Sequence, residues 1–107
     1  MNKICTSIEQ SQKLIELGID ITTADMCWLY VNEEYFYEVK DGALDEEDIP
    51  AWSLSALLGL IPPGNILLRD ALNGKYKCIN MVDSSYYDNP LDAAFETVCW
   101  LKENGKL

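Results

Sequence analysis

Apolar residues change their spacing repeatedly along this chain, and each change predicts a new element of structure. Ile8, Leu14, Ile15 and Leu17 recur at helical intervals, with Ser11 as a small break in the stripe. Such spacing gathers apolar side chains on one face because 3.6 residues complete a helical turn. Thr6-x-x-Glu9 and Ser7-x-x-Gln10 both fit the capping box, in which a hydroxyl takes one orphan amide and the longer side chain returns to another. Gly18 then supplies a left-handed stop. A first helix is expected over about 7–17.

From residue 26 the period changes. Met26 to Val31 and Tyr35 to Val39 are rich in β-branched and aromatic residues, and the polar Asn32-Glu33-Glu34 lies between them. That pattern predicts a hairpin over 26–39. No glycine marks its turn, so two registers are open. A two-residue loop places Trp28, Tyr30, Tyr35 and Tyr37 on one face, whereas a three-residue loop mixes the faces. Residues 40–49 read as a loop closed by Pro50; Ser53 caps a short helix from Leu54 to Leu60, which Pro62-Pro63-Gly64 ends.

Asn73-Gly74 is the preferred pair for a type I′ turn, whose two central residues need positive φ. It predicts a second hairpin over 66–72 and 75–82, pairing Asp70 with Lys77, Arg69 with Cys78 and Leu68 with Ile79. The closing helix is signalled at both ends. Asn89 caps it, Pro90 takes the first helical position, Asp92 complements the macrodipole, and Gly105 stands where a C′ residue belongs. Leu91, Ala94, Phe95, Val98 and Leu101 between them keep helical spacing.

The expected order is α-ββ-α-ββ-α, an α+β fold of antiparallel hairpins packed against helices, in a single domain over 1–107. An offset of 41 aligns Ile8 with Ile49, Leu17-Gly18 with Leu58-Gly59, Asn32 with Asn73 and Tyr35 with Tyr76. A pseudo-repeat is the corresponding expectation.

Composition narrows the possible chemistry more than it alters the fold. Hydrophobic residues make up 49% and charged residues 24% of the 107, a globular rather than a disordered profile. Only the charge is unusual, with 18 acids against 8 bases and a net of −10. That sign repels nucleic-acid phosphates and anionic lipid, so direct binding to nucleic acid or membrane is not expected. Met1 to Ser7 lacks the apolar run of a signal peptide, which points to the cytoplasm. Cys5, Cys27, Cys78 and Cys99 fit that address as scattered buried free thiols. With no histidine and no Cys-x-x-Cys pair, no metal site and no cofactor are expected. No nucleophile elbow, phosphate loop or dinucleotide fingerprint occurs, and no catalytic residue is assigned.

Two features stand out as binding chemistry. Trp28, Tyr30, Tyr35, Phe36, Tyr37 and Trp52 crowd into 25 residues, and tyrosine and tryptophan anchor interfaces where they remain exposed. Beside them, Glu33, Glu34, Glu38, Asp41, Asp45, Glu46, Glu47 and Asp48 are eight of the 18 acids. The plainer reading places most of the rings in the core and treats the acids as a solvated loop that guards the hairpin edge. The binding reading selects Trp28, Tyr30, Tyr35, Tyr37, Asp45, Glu46, Glu47 and Asp48 as candidate contact residues. The alternating Asp/Asn spacing of an EF-hand is absent from the acidic run.

Several stretches also carry a resemblance. Thr6-Ser7-Ile8-Glu9-Gln10-Ser11 leading to Leu14 and Leu17-Gly18, Thr23-Ala24-Asp25-Met26 with Trp28, and Pro50-Ala51-Trp52-Ser53-Leu54-Ser55-Ala56-Leu57-Leu58 are three of them. Asn89-Pro90 with Ala93-Ala94 and Trp100-Leu101 is the fourth. Together they resemble a family of small uncharacterised proteins of gut Bacteroidales and their phages or prophages. Lys102 stands where such relatives are expected to carry a second leucine. The resemblance implies a mobile-element setting and transfers no activity.

The expected function is therefore a non-enzymatic protein-interaction or regulatory module, acting as a monomer or homodimer on an unidentified protein partner. Its surface would be the first hairpin with the acidic loop 41–48. One alternative is an acidic nucleic-acid mimic that blocks a DNA- or RNA-binding protein. Another is a carboxylate-based or cation-dependent small enzyme.

Overall fold

The computed structural model describes residues 4–40, 47–62, 67–69, 76–78 and 89–107. Helix α1 spans Ile8–Glu16, and its start is the capping box built by Ser7 and Gln10. The Ser7 hydroxyl accepts the Gln10 amide at 3.1 Å, and the Gln10 side chain accepts the Ser7 amide at 3.0 Å. Thr6 is released from capping for a different role. Gly18 ends the helix at φ 87°, a backbone state that glycine adopts without steric cost.

A 3-10 turn over Ile21–Thr23 is capped by Asp20 and leads into strand β1, Met26–Val31. Strand β2, Glu34–Val39, returns antiparallel to it, and strand β3, Ile49–Ala51, pairs along the other side of β1. The sheet order is β2-β1-β3. β3 corrects the expectation of a loop over 40–49 closed by Pro50. A proline within a strand signals an edge, and β3 is an edge.

The ladder explains why Pro50 is tolerated. The Lys40 amide donates to the Asp25 carbonyl at 3.0 Å, so odd-numbered residues of β1 face β2 with their hydrogen-bonding groups and even-numbered ones face β3. Cys27 lies opposite Pro50 in a pair that makes no backbone bonds, and the missing N–H costs the sheet nothing.

Helix α2, Leu54–Leu60, follows with Ser53 as its cap, as expected. Strands β4, Leu67–Arg69, and β5, Tyr76–Cys78, form a second antiparallel pair. Leu68 lies opposite Lys77 and Arg69 opposite Tyr76, a register two residues away from the expected one. A slip of two leaves every side chain on the same face, so the apolar pattern does not choose between the two registers. The Asn73-Gly74 turn lies outside the described residues, as do the remaining parts of both predicted strands. Helix α3, Pro90–Glu103, has the expected Asn89 cap, Pro90 start and positive φ at Gly105. Among the described residues the order is thus α-βββ-α-ββ-α, an α+β fold with one more strand than predicted.

The pseudo-repeat does not survive as structure. Ile8 opens α1 whereas its counterpart Ile49 lies in β3, and Gly18 ends a helix whereas Gly59 sits inside one.

The main core is helical, with α3 at its centre. Leu91, Ala94, Phe95, Val98 and Cys99 pack with Leu14 of α1, Leu57 of α2 and Trp52. A smaller cluster of Cys5, Met26 and Ala51, flanked by Trp28, lies at the base of the three-stranded sheet. The two are joined around Thr6. Its amide donates to the Trp52 carbonyl at 2.8 Å, and its hydroxyl accepts the Trp52 amide at 3.0 Å. The same hydroxyl shares a 2.7 Å hydrogen bond with Ser11, and the Thr6 carbonyl accepts Trp28 Nε1–H at 2.9 Å. Ser11 is therefore a buried partner of the junction rather than a break in a stripe.

Replacing Thr6 by valine keeps the shape and deletes the hydroxyl, leaving the Trp52 amide buried without an acceptor. The expected loss is about 1–3 kcal/mol of unfolding free energy, read from urea titration followed by tryptophan fluorescence. Thr6→Ser should recover most of it.

Candidate functional site

The first hairpin leaves the core as it lengthens. Met26 and Cys27 are buried, Trp28 and Leu29 are half-buried, and from Tyr30 to Val39 every residue is exposed. The turn is the two-residue one, with Asn32 and Glu33 at φ 52° and 66°. Both values are positive, as a type I′ turn requires. This resolves the open register: Trp28 lies opposite Tyr37 and Tyr30 opposite Tyr35, so the four rings share one face.

Both pairs occupy non-hydrogen-bonded positions of the ladder, where side chains approach most closely. Trp28 and Tyr37 meet edge to face, with centroids 5.5 Å apart and planes at 82°. Tyr30 and Tyr35 are tilted at 48° with centroids 4.9 Å apart. The bond from Trp28 Nε1–H to Thr6 anchors this aromatic ladder to the core at one end. The other end projects toward solvent, where Tyr30, Tyr35 and Tyr37 remain 44–48% exposed.

The opposite face was missed as a site. Val31 and Phe36 stand there, exposed by 48% and 52%, together with Glu34 and Glu38. Their positions follow from strand alternation once the two-residue loop is known. Val39, on the aromatic face, is 69% exposed. Among the described residues, six of the 11 exposed large hydrophobics fall between residues 30 and 39. The expectation that most of the aromatics are core therefore holds for Trp52 and in part for Trp28. Trp52 is fully buried, with its Nε1–H donated to the Thr23 hydroxyl at 2.9 Å.

Of the acidic candidates, Glu47 is exposed and Asp48 half-buried, and Asp45 and Glu46 lie outside the described residues. Glu33 at the turn and Glu34 and Glu38 on β2 bring negative charge directly among the apolar side chains. Asp25, just before β1, bonds both the amide and the hydroxyl of Ser53, tying the hairpin's base to the start of α2.

The described thiols, Cys5, Cys27 and Cys99, offer little to nucleophilic chemistry. Burial, reinforced by the charge of Asp25, pushes Cys5 up to about 11, and burial beside Glu96 pushes Cys99 up to about 12. Cys27 is also raised, chiefly by burial and then by Glu38. Thiols held protonated in this way are poor nucleophiles near neutral pH. Among the described residues, no cluster of three or more His, Cys, Asp or Glu is placed to hold a metal ion. No described helix is long and apolar enough to cross a membrane. No protein-family model, curated protein or solved structure matches this chain.

Two outcomes follow from this geometry. Glu33 holds a left-handed conformation that costs a non-glycine residue roughly 1–2 kcal/mol. Glu33→Gly removes that cost while adding about 0.4–1 kcal/mol of unfolded-chain entropy. A gain of up to about 1.6 kcal/mol is expected, read as a higher Tm and slower amide exchange in β1 and β2. For the thiols, a folded-state pKa above the unfolded value means that the fold retains protons the unfolded chain releases. Stability is then fully present below about pH 9 and declines as pH rises through 11 and 12. Urea midpoints measured from pH 8 upward should fall, and should fall less steeply in Cys99→Ala.

Proposed function

We infer that the protein is a protein-interaction module whose contact surface is the first hairpin, extended by the acidic segment 41–48. The observation that carries this reading is the apolar surface of residues 30–39, exposed on both faces of a two-stranded projection. Soluble monomers rarely leave contiguous apolar patches open unless another molecule covers them. The aromatic ladder is preordered by its ring contacts and by the Trp28–Thr6 bond, so binding through it orders few side chains anew. The interleaved carboxylates favour a partner with basic groups around an apolar centre. In the phage or prophage setting that the sequence resembles, that partner would be a host or phage protein.

The nucleic-acid mimic is the weaker reading. Described exposed carboxylates fall on the hairpin and its flanks at Asp25, Glu33, Glu34, Glu38 and Glu47, but also on α1, the 3-10 turn and the end of α3 at Glu9, Glu16, Asp20 and Glu103. A mimic needs them in rows on one face, spaced like backbone phosphates.

Capture from host-cell extract, followed by washing at about 1 M salt, separates the two, because the screening length there is only about 3 Å. The expected partner survives the wash and is lost on the double substitution Tyr30→Ala and Tyr35→Ala. Truncating interface anchors of this kind costs about 2 kcal/mol or more each. A partner that leaves at high salt, or one that still binds the double variant, overturns the aromatic surface as the site.

A further inference from the structure

β2 is a terminal strand of its sheet, and all six of its residues are exposed. Its hydrogen-bonding directions are set by the 3.0 Å bond from the Lys40 amide to the Asp25 carbonyl. In an antiparallel ladder, pairs that exchange backbone bonds alternate with pairs that do not. Glu38, Phe36 and Glu34 therefore point their amides and carbonyls toward β1, and Tyr35, Tyr37 and Val39 point theirs outward. The outward groups form an open template for another strand.

The spacing of charges on β2 restricts what that strand is. An antiparallel partner must align outward residues with outward residues, so a two-fold pairing of β2 with itself has its axis on a residue and not between two. With the axis at Phe36, Glu34 lies opposite the second copy's Glu38, at the close spacing of a non-bonded pair. With the axis at Glu38, that carboxylate faces itself. With the axis at Tyr35, Glu33 is drawn into the ladder, and its φ of 66° belongs to a turn rather than a strand. With the axis at Val39, Glu38 meets the second copy's Lys40, but the ladder among the described residues shrinks to positions 38–40 and Glu34 to Tyr37 have no described residue opposite. With the axis at Tyr37, no conflict arises and the whole of β2 pairs. Glu34 then lies opposite the second copy's Lys40, Tyr35 opposite Val39, Phe36 opposite Glu38, and Tyr37 opposite itself. Lys40 is the one basic residue between positions 26 and 62, and it continues the β2 ladder. Its ammonium reaches the Ile21 carbonyl at 3.5 Å, a long contact that a carboxylate opposite would readily replace.

We propose that the protein forms a two-fold dimer by antiparallel pairing of β2 with a second copy's β2, with Tyr37 on the axis and two Glu34–Lys40 pairs flanking it. The result is a continuous six-stranded sheet in which the two aromatic ladders share one face. The proposal rests on the reading of the first hairpin as a protein-binding surface and names one occupant of its edge. The aromatic face is left available to a different protein.

Sedimentation at about 0.15 M salt, where charges more than about 8 Å apart are largely screened, tests it. The wild-type chain of 12.1 kDa should sediment at twice that mass as concentration rises. Glu34→Lys and Lys40→Glu each place like charges opposite one another twice, and each should raise the dimer Kd on the order of 10-fold. An equimolar mixture of the two variants pairs opposite charges again and should regain the wild-type Kd. Tyr37→Pro removes an outward amide without breaking the β1 ladder, so it should abolish association with the circular dichroism spectrum unchanged. If that variant unfolds, the mixing experiment decides alone. A wild type that stays monomeric at every concentration, or a dimer indifferent to both charge variants, overturns the proposal. Neither result bears on capture through Tyr30 and Tyr35, so failure of the dimer is distinguishable from failure of the binding surface.

Discussion

Thr6 is the residue on which the arrangement of the rest depends. Its amide, carbonyl and hydroxyl are all committed, to Trp52, Trp28 and Ser11, and the residue is fully buried. Those partners lie after β3, in β1 and in α1, so one side chain with its peptide groups fixes three segments together. An unpaired polar group at such a point is costly, and that makes the junction specific: a segment displaced from it leaves a buried donor or acceptor without its partner. Trp52 continues the chain of bonds to Thr23, and Asp25 extends it from the base of β1 to the cap of α2. The hairpin's root is therefore held by hydrogen bonds to the helical core, although its body packs against little.

That division of labour explains how a projection of exposed strands coexists with a stable core. Apolar packing is concentrated around α3, where eight residues of 14 are buried. The three-stranded sheet adds the small cluster of Cys5, Met26 and Ala51, with Cys27 and Pro50 also buried. Beyond Trp28 the hairpin is sustained by its own ladder and ring contacts. A two-stranded hairpin is marginal in water by itself. Anchoring one end removes much of the entropy that an isolated hairpin would lose on forming.

Local signals in the sequence carried most of the helical architecture. Ser7 with Gln10, Ser53, Asn89 with Pro90, Gly18 and Gly105 mark helix ends through chemistry confined to a few neighbouring residues, and all act as read. The features that were not legible depend on distant partners. Thr6 and Ser7 fit the capping box equally well, and only the position of Trp52 decides which one caps. β3 was hidden because its proline argues against a strand until the direction of its missing N–H is known. The second hairpin's register slipped by two because a shift of that size keeps the apolar pattern intact. For the candidate site, the four-ring face was legible as one of two alternatives. Exposure was not, since the same rings at the same spacing would suit a buried sheet.

The acids of β2 have a physical meaning beyond solubility. An open edge flanked by apolar rings is a template for uncontrolled pairing, and charge placed on the edge is a common guard against it. Glu34 and Glu38 repel a second copy in one register and Glu38 repels itself in another. Their spacing relative to Lys40 leaves one self-pairing along the whole length of β2 in which opposite charges meet. A guard made only of acids would forbid every self-pairing, whereas this one discriminates among them. Specificity by exclusion requires nothing stronger than exposed charges where a wrong register, as about Phe36 or Glu38, sets like charges at the closest spacing a sheet allows.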